Sequence, residues 1–308
     1  MMRLTGSLTA LVMLAACSSP DERETRITRA RLLNESGRAS FAKNQLEAAA
    51  ADFEAALGEA QRTDDLEEKA RALNSLGRVE EAQGHYQEAE ARYRAALETT
   101  DLLSGAHQER FTILLNLGSA LGHQERLGES RRACEEALGI AQELEDAWMQ
   151  ALALKFLAVL DRREGNLDKA YERMASAQVQ FEMARDHESE AEALYNLGVI
   201  LEQRGQLKEA MGRYSSAHQF FKMVQNPEGI ALSLAAMAKG YEKLSQPRNA
   251  LVWYRRAADV NLGIPHLGRA RDCLQALVRI YQELGTSDDL SEAARITEEL
   301  AKLESGTA

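Results

Sequence analysis

The residues able to do chemistry in this chain are numerous but dispersed. Six histidines, His85, His107, His123, His187, His218 and His266, are spread over the length with no two close enough to ligate one ion. A metal centre needs several such ligands converging on one point. Adjacent acids such as Glu80-Glu81 and Glu135-Glu136 resemble a paired-carboxylate site only superficially, because neighbours along a helix point apart and read as solvated faces. There is no Gly-rich phosphate loop, nucleophile elbow or His-Glu-x-x-His run. The expectation is therefore a protein that is not an enzyme and uses no cofactor or metal. A net charge of −11, with no basic stripe, excludes a nucleic-acid partner.

One residue has chemistry written into its position. Arg3 precedes an apolar run from Leu8 to Ala16, too short to span a bilayer, and Leu14-Ala15-Ala16-Cys17 closes it. This tetrad resembles the bacterial lipobox, which implies lipidation of Cys17 and cleavage before it. Two or three acyl chains give stable membrane attachment. Ser18 after the cysteine implies the outer membrane, with the protein facing the periplasm. We expect a signal peptide over 1–16 and a lipidated tether over 17–28. Cys134 and Cys273 are too far apart along a repeat array to pair, and read as buried structural thiols.

The elements that carry everything else are helices. Ala, Leu, Glu, Arg and Gln dominate, and only four prolines occur. Small residues recur at Gly37, Gly77, Gly118, Ala158, Gly198, Ala238 and Val278, a spacing of 40 or 41. Each sits in a Leu-rich segment such as Leu73-Asn74-Ser75-Leu76-Gly77 or Leu194-Tyr195-Asn196-Leu197-Gly198. Each is followed by a small residue (Ala89, Ala170, Ala210) and a bulky one (Phe53, Tyr93, Met174, Tyr214, Tyr254). The glycines read as sites of close backbone approach to those alanines, and the tyrosines as filling toward the next hairpin. The seventh unit shows an insertion around Gly285-Thr286-Ser287-Asp288.

This pattern resembles the tetratricopeptide repeat, in the longer 40-residue form of kinesin light chains and Pins-type scaffolds. The resemblance implies an all-α fold, a right-handed superhelical solenoid of about seven antiparallel helix hairpins. It runs over 29–305, with units near 29–63, 64–104, 105–144, 145–185, 186–225, 226–264 and 265–305. The residues beyond the usual 34 should lengthen both helices.

In that family the first helices line a concave groove where partners dock. Carried onto this sequence, the groove positions are Arg31, Asn34 and Arg38, then Arg71, Asn74 and Arg78, a basic ladder suited to an acidic segment or carboxylate. Asn116 and Asn196 match the asparagine that holds a peptide main chain in Pins-like proteins. Leu115, Leu152, Phe156, Val159, Tyr195, Val199 and Leu232 imply an apolar mid-groove. The chaperone-type carboxylate clamp is absent, since Thr112 and Asn116 stand where it has basic residues.

The resulting expectation is a non-catalytic scaffold of the bacterial cell envelope. It would bind other envelope proteins through the groove and the membrane through its anchor, with no oligomeric state specified. The alternatives are a regulatory or sensor lipoprotein capturing a peptide or cell-wall fragment, and a pilotin-like or outer-membrane assembly factor. Radiolabelled palmitate should enter the wild type and not Cys17→Ala; equal labelling would exclude lipidation at this position.

Overall fold

The computed structural model describes residues 20–264 and 267–305, and these hold fourteen helices and no strand. Cys17 lies outside the described residues. Two compact units divide between Glu145 and Asp146. The first contains α1 (Pro20–Ala42), α2 (Leu46–Thr63), α3 (Leu66–Ala82), α4 (Tyr86–Thr100), α5 (His107–His123) and α6 (Leu127–Glu143). The second contains α7 (Ala147–Arg163), α8 (Leu167–Ala184), α9 (His187–Gln203), α10 (Leu207–Met223), α11 (Pro227–Lys243), α12 (Pro247–Leu262), α13 (Leu267–Leu284) and α14 (Ser287–Ser305). Consecutive helices pair as hairpins, three in the first unit and four in the second, and within each unit each hairpin packs on the next. No single hairpin buries its apolar stripe alone, so neighbours complete the core.

Local chemistry sets the helix ends. Asp65, Asp146, Asp186 and Asn226 each accept a hydrogen bond from the backbone N–H three residues on, capping α3, α7, α9 and α11. Pro227 and Pro247 begin α11 and α12, where a missing N–H costs nothing. The turn inside each hairpin uses one left-handed residue, and Gly84 takes it with φ +83°. Where no glycine is present, Asn44, Glu125 and Ser245 adopt the same conformation at φ 57°, 61° and 56°. A residue with a Cβ takes this conformation against a steric cost of about 1 kcal/mol. The repeat's extra length lies in the helices: α2 to α13 run 15 to 18 residues.

Three of the mid-helix glycines meet rings rather than alanines. A Cβ on Gly77 would lie 2.5 Å from the Tyr93 ring, and one on Gly198 would lie 2.5 Å from Tyr214. Gly37 stands against Phe53 in the same way. The bulky residue therefore closes on the first helix of its own hairpin, and it shares one buried cluster with residues of the next. Its hydroxyl is anchored there too. Tyr93 donates to Glu81 at 2.9 Å, Tyr214 to Glu202 at 2.7 Å, and Tyr254 to Glu242. Burial, reinforced by these carboxylates, pushes the phenols well above their ordinary pKa and keeps them neutral. Glu81, which also accepts from Ser119 at 2.6 Å, is hence part of the packing and not a solvated face.

The pairing varies with volume. Where the small residue is Ala158 the partner is the slimmer, unbranched Met174, and Gly118 faces the Sγ of Cys134. Cys134 and Cys273 are both free and buried, and burial raises their thiols to about 12 and about 11.

Three boundaries differ from expectation. The first helix begins at Pro20, so residues 20–28 of the expected tether are helical. Arg23 donates to the Thr63 carbonyl at 3.1 Å and Arg26 pairs with Glu59 at 3.3 Å, tying this stretch to the end of α2. The seventh turn holds no insertion; α13 and α14 are separated only by Gly285 and Thr286. The last helix is consequently shifted, so Leu290 is exposed. Asp289 is buried instead, held by Arg248 at 2.5 and 2.8 Å and by the Thr286 hydroxyl at 2.6 Å.

Gly198→Ala should destabilise the protein by about 1–3 kcal/mol through overpacking, although alanine is the better helix former by about 1 kcal/mol. Combining it with Tyr214→Met, which recreates the Ala158–Met174 arrangement, should show a favourable coupling of at least about 0.5 kcal/mol in a double-mutant cycle read by thermal unfolding. Simple additivity would mean that the ring does not select the glycine.

Candidate partner-binding groove

In the first unit, α1, α3 and α5 are the first helices of successive hairpins and contact one another directly. Their shared face holds a cleft of about 320 Å³ lined by Arg38, Arg71, Asn74, Arg78, Gln108 and Thr112, among others. Residues three and four apart on a helix stand on one face, which is why Arg71, Asn74 and Arg78 converge.

The basic ladder divides into two kinds of arginine. Glu68 is the reason. Its side chain is only 2% exposed, and a buried carboxylate must be paired. Arg71 pairs with it at 2.8 Å and also with Glu109 at 3.2 Å and with Glu67, while Arg31 approaches Glu68 at 3.6 Å. Burial works against the Arg71 charge, but the three carboxylates outweigh it and raise its pKa. Arg38 and Arg78 are exposed and form no ion pair among the described residues. Arg78 lies over the Phe41 ring at 4.8 Å, which holds the guanidinium in place while leaving its N–H edges available.

Asn34 is not a groove residue. It is fully buried, and its amide donates to the Glu68 carboxylate at 2.8 Å. Asn116 donates to the Asn74 Oδ1 at 2.9 Å, joining α5 to α3 by a side-chain amide pair. The pair leaves one N–H of Asn116, both amide N–H groups of Asn74 and the Asn116 Oδ1 for a main chain laid across it.

All but one of the remaining candidates belong to the second unit. Asn196 donates to the carbonyl of Glu192, one turn back in its own helix, at 2.9 Å. Tyr195 is half-buried and packs on Tyr214 with ring centroids 5.5 Å apart. Phe156 is half-buried with Lys155 Nζ 5.9 Å from its centroid, and Val199 packs against the core. Leu115, expected in an apolar mid-groove, is buried in the first unit. Gln108 and Glu109 of α5 were not expected at the cleft. Their only signal is the four-residue spacing that puts Gln108 beneath Thr112.

Models of the tetratricopeptide repeat match residues 28–100 and 149–224, and a second model of the same description matches 76–145. No curated protein matches the chain in sequence. Among solved structures, the Rap conjugation gene regulator of plasmid pLS20, in complex with a Phr peptide, gives a TM-score of 0.62 at 13% identity, covering 89% of this chain and 85% of that one. A putative kinesin light chain with TPR-like repeats from Podosopora anserina gives 0.51 at 17% identity, covering 65% and 98%. A signal transduction ATPase with numerous domains from Pyrococcus horikoshii, carrying a tetratricopeptide repeat sensor, gives 0.70 at 16% identity, covering 97% of this chain and 45% of that one. At these identities the likeness is one of fold.

Arg71→Ala should cost about 1–3 kcal/mol in thermal or denaturant unfolding, because Glu68 stays buried without its main partner. Arg78→Ala should change stability by less than about 1 kcal/mol. Equal losses would contradict the division of the ladder.

Proposed function

Since this chain belongs to the tetratricopeptide repeat family, we propose that it is a non-catalytic scaffold that holds an acidic protein segment in the cleft of its N-terminal unit. One observation carries the reading: two exposed arginines without ion pairs, Arg38 and Arg78, line the same cleft as Asn74 of the Asn74–Asn116 amide pair, in a protein of net charge −11. The arginines suit carboxylates, and the amides suit a peptide main chain. A structural neighbour, the pLS20 regulator, is bound to a peptide, which supports a peptide as the class of ligand.

The same proposal assigns the protein to the bacterial envelope, lipidated at Cys17 and attached to the outer membrane facing the periplasm. The lipobox-like tetrad and the serine after it support this. Pro20, three positions after Cys17, is already helical, so the array would begin at the membrane surface with its basic cleft close by.

A panel of labelled decapeptides differing in Asp and Glu content tests the reading by fluorescence anisotropy. Acidic members should bind, more weakly as salt rises, and Arg38→Glu with Arg78→Glu should lower affinity at least about tenfold without shifting the melting temperature. Affinity that ignores this double change would reject the cleft as the dock.

A further inference from the structure

A second cavity lies wholly within the unit that begins at Asp146, among α11, α12 and α13. Its volume is about 550 Å³, within the range of small-molecule sites. Leu232, Ala235 and Ala276 give it an apolar wall. Cys273 adds to that wall as an apolar group, since burial raises its thiol to about 11 and leaves no thiolate near neutral pH.

Its polar groups are unequally engaged. Arg279 is committed to Glu242 at 2.6 Å and Glu283 at 3.2 Å. Tyr254 is committed to Glu242. Lys239 and Arg269 are exposed at the cavity and make no ion pair among the described residues, and Asp272 is the one acidic residue lining it. Asn261 is 1% exposed, and its Nδ2 donates to the Ala257 carbonyl at 2.8 Å. That bond fixes the orientation of the amide, and its buried Oδ1 has no partner. A buried acceptor without a donor is costly, and a ligand N–H would remove the cost.

We infer that this cavity is a binding site for an N-acylated amino acid with an aliphatic side chain. The carboxylate meets Lys239 and Arg269, the amide N–H donates to Asn261 Oδ1, and the side chain lies on Leu232, Ala235 and Ala276. Two sources supply this chemistry, a free N-acyl amino acid and the last residue of a peptide. The site is separate from the acidic-segment cleft and does not depend on it.

Isothermal titration of the full chain with N-acetyl-L-leucine tests the inference. Binding is expected, and it should weaken at least about tenfold with N-acetyl-L-leucinamide, which lacks the carboxylate. It should weaken about tenfold with the acetoxy ester analogue, which lacks the N–H. Lys239→Gln with Arg269→Gln, both at exposed positions, should also lower affinity about tenfold. Ala276→Phe should fill the cavity and abolish binding. No heat with the wild type at millimolar ligand, or affinity indifferent to the carboxylate and to the two cations, would overturn the site. A pentapeptide ending in leucine then identifies the source: tighter binding than N-acetyl-L-leucine assigns a protein C-terminus, weaker binding a free small molecule. Arg38→Glu with Arg78→Glu should leave all these titrations unchanged, so failure here and failure of the cleft are distinguishable.

Discussion

A ring seated on a glycine organises three of the hairpins, and a smaller side chain takes its place in others. The second helix approaches so closely that a Cβ at Gly77 or Gly198 would lie 2.5 Å from the Tyr93 or Tyr214 ring. The phenol then reaches past the glycine to a glutamate one turn on, so one residue supplies apolar burial and a charge-assisted hydrogen bond. With the helices fixed at this distance, the hairpin turn has little freedom. In the first hairpin, where Phe53 sits on Gly37, Asn44 accepts the left-handed backbone for which other hairpins use glycine.

The electrostatics follow from the packing. Stacking one hairpin on the next buries Glu68 between first helices, and its charge must be satisfied there. Arg31, Asn34 and Arg71 are drawn to it. Arg38 and Arg78, each about two turns past Arg31 and Arg71 on the same faces, form no ion pair with it and line the cleft. The same logic runs at other positions: Glu59 gathers Arg26, Arg29 and Arg62, and buried Asp289 holds Arg248. An acidic chain thus keeps many of its arginines in internal pairs, and those left over become candidates for partners.

The second unit uses the same construction with a different result. Its first helices carry Tyr195 and Val199 half-buried against their own core and Phe156 half-buried, while open space lies among α11, α12 and α13. There the groups without an ion pair or hydrogen-bond partner include a buried carbonyl on Asn261, two exposed cations and the exposed Asp272. The two cavities therefore present different chemistries, a polar one beside an amide pair and a largely apolar one with a cationic rim.

The repeat itself was legible in the sequence, because the 40-residue recurrence of small and bulky residues reflects a contact made within successive hairpins, though not the last, between positions sixteen apart. Local sequence also determined the helix starts at Asn226-Pro227 and Gln246-Pro247, the longer helices, and the burial of both thiols. Tertiary structure alone decided that residues 20–28 are helical, that the last helix shifts to bury Asp289 rather than Leu290, and that the array divides near Glu145. It also decided which groove residues are available. Arg31 and Arg71 look identical to Arg38 and Arg78 in sequence, and Asn34 looks like Asn74. They differ in their distance from a buried carboxylate contributed by another helix, and a charge chooses its partner by position in space, which a one-dimensional pattern does not contain.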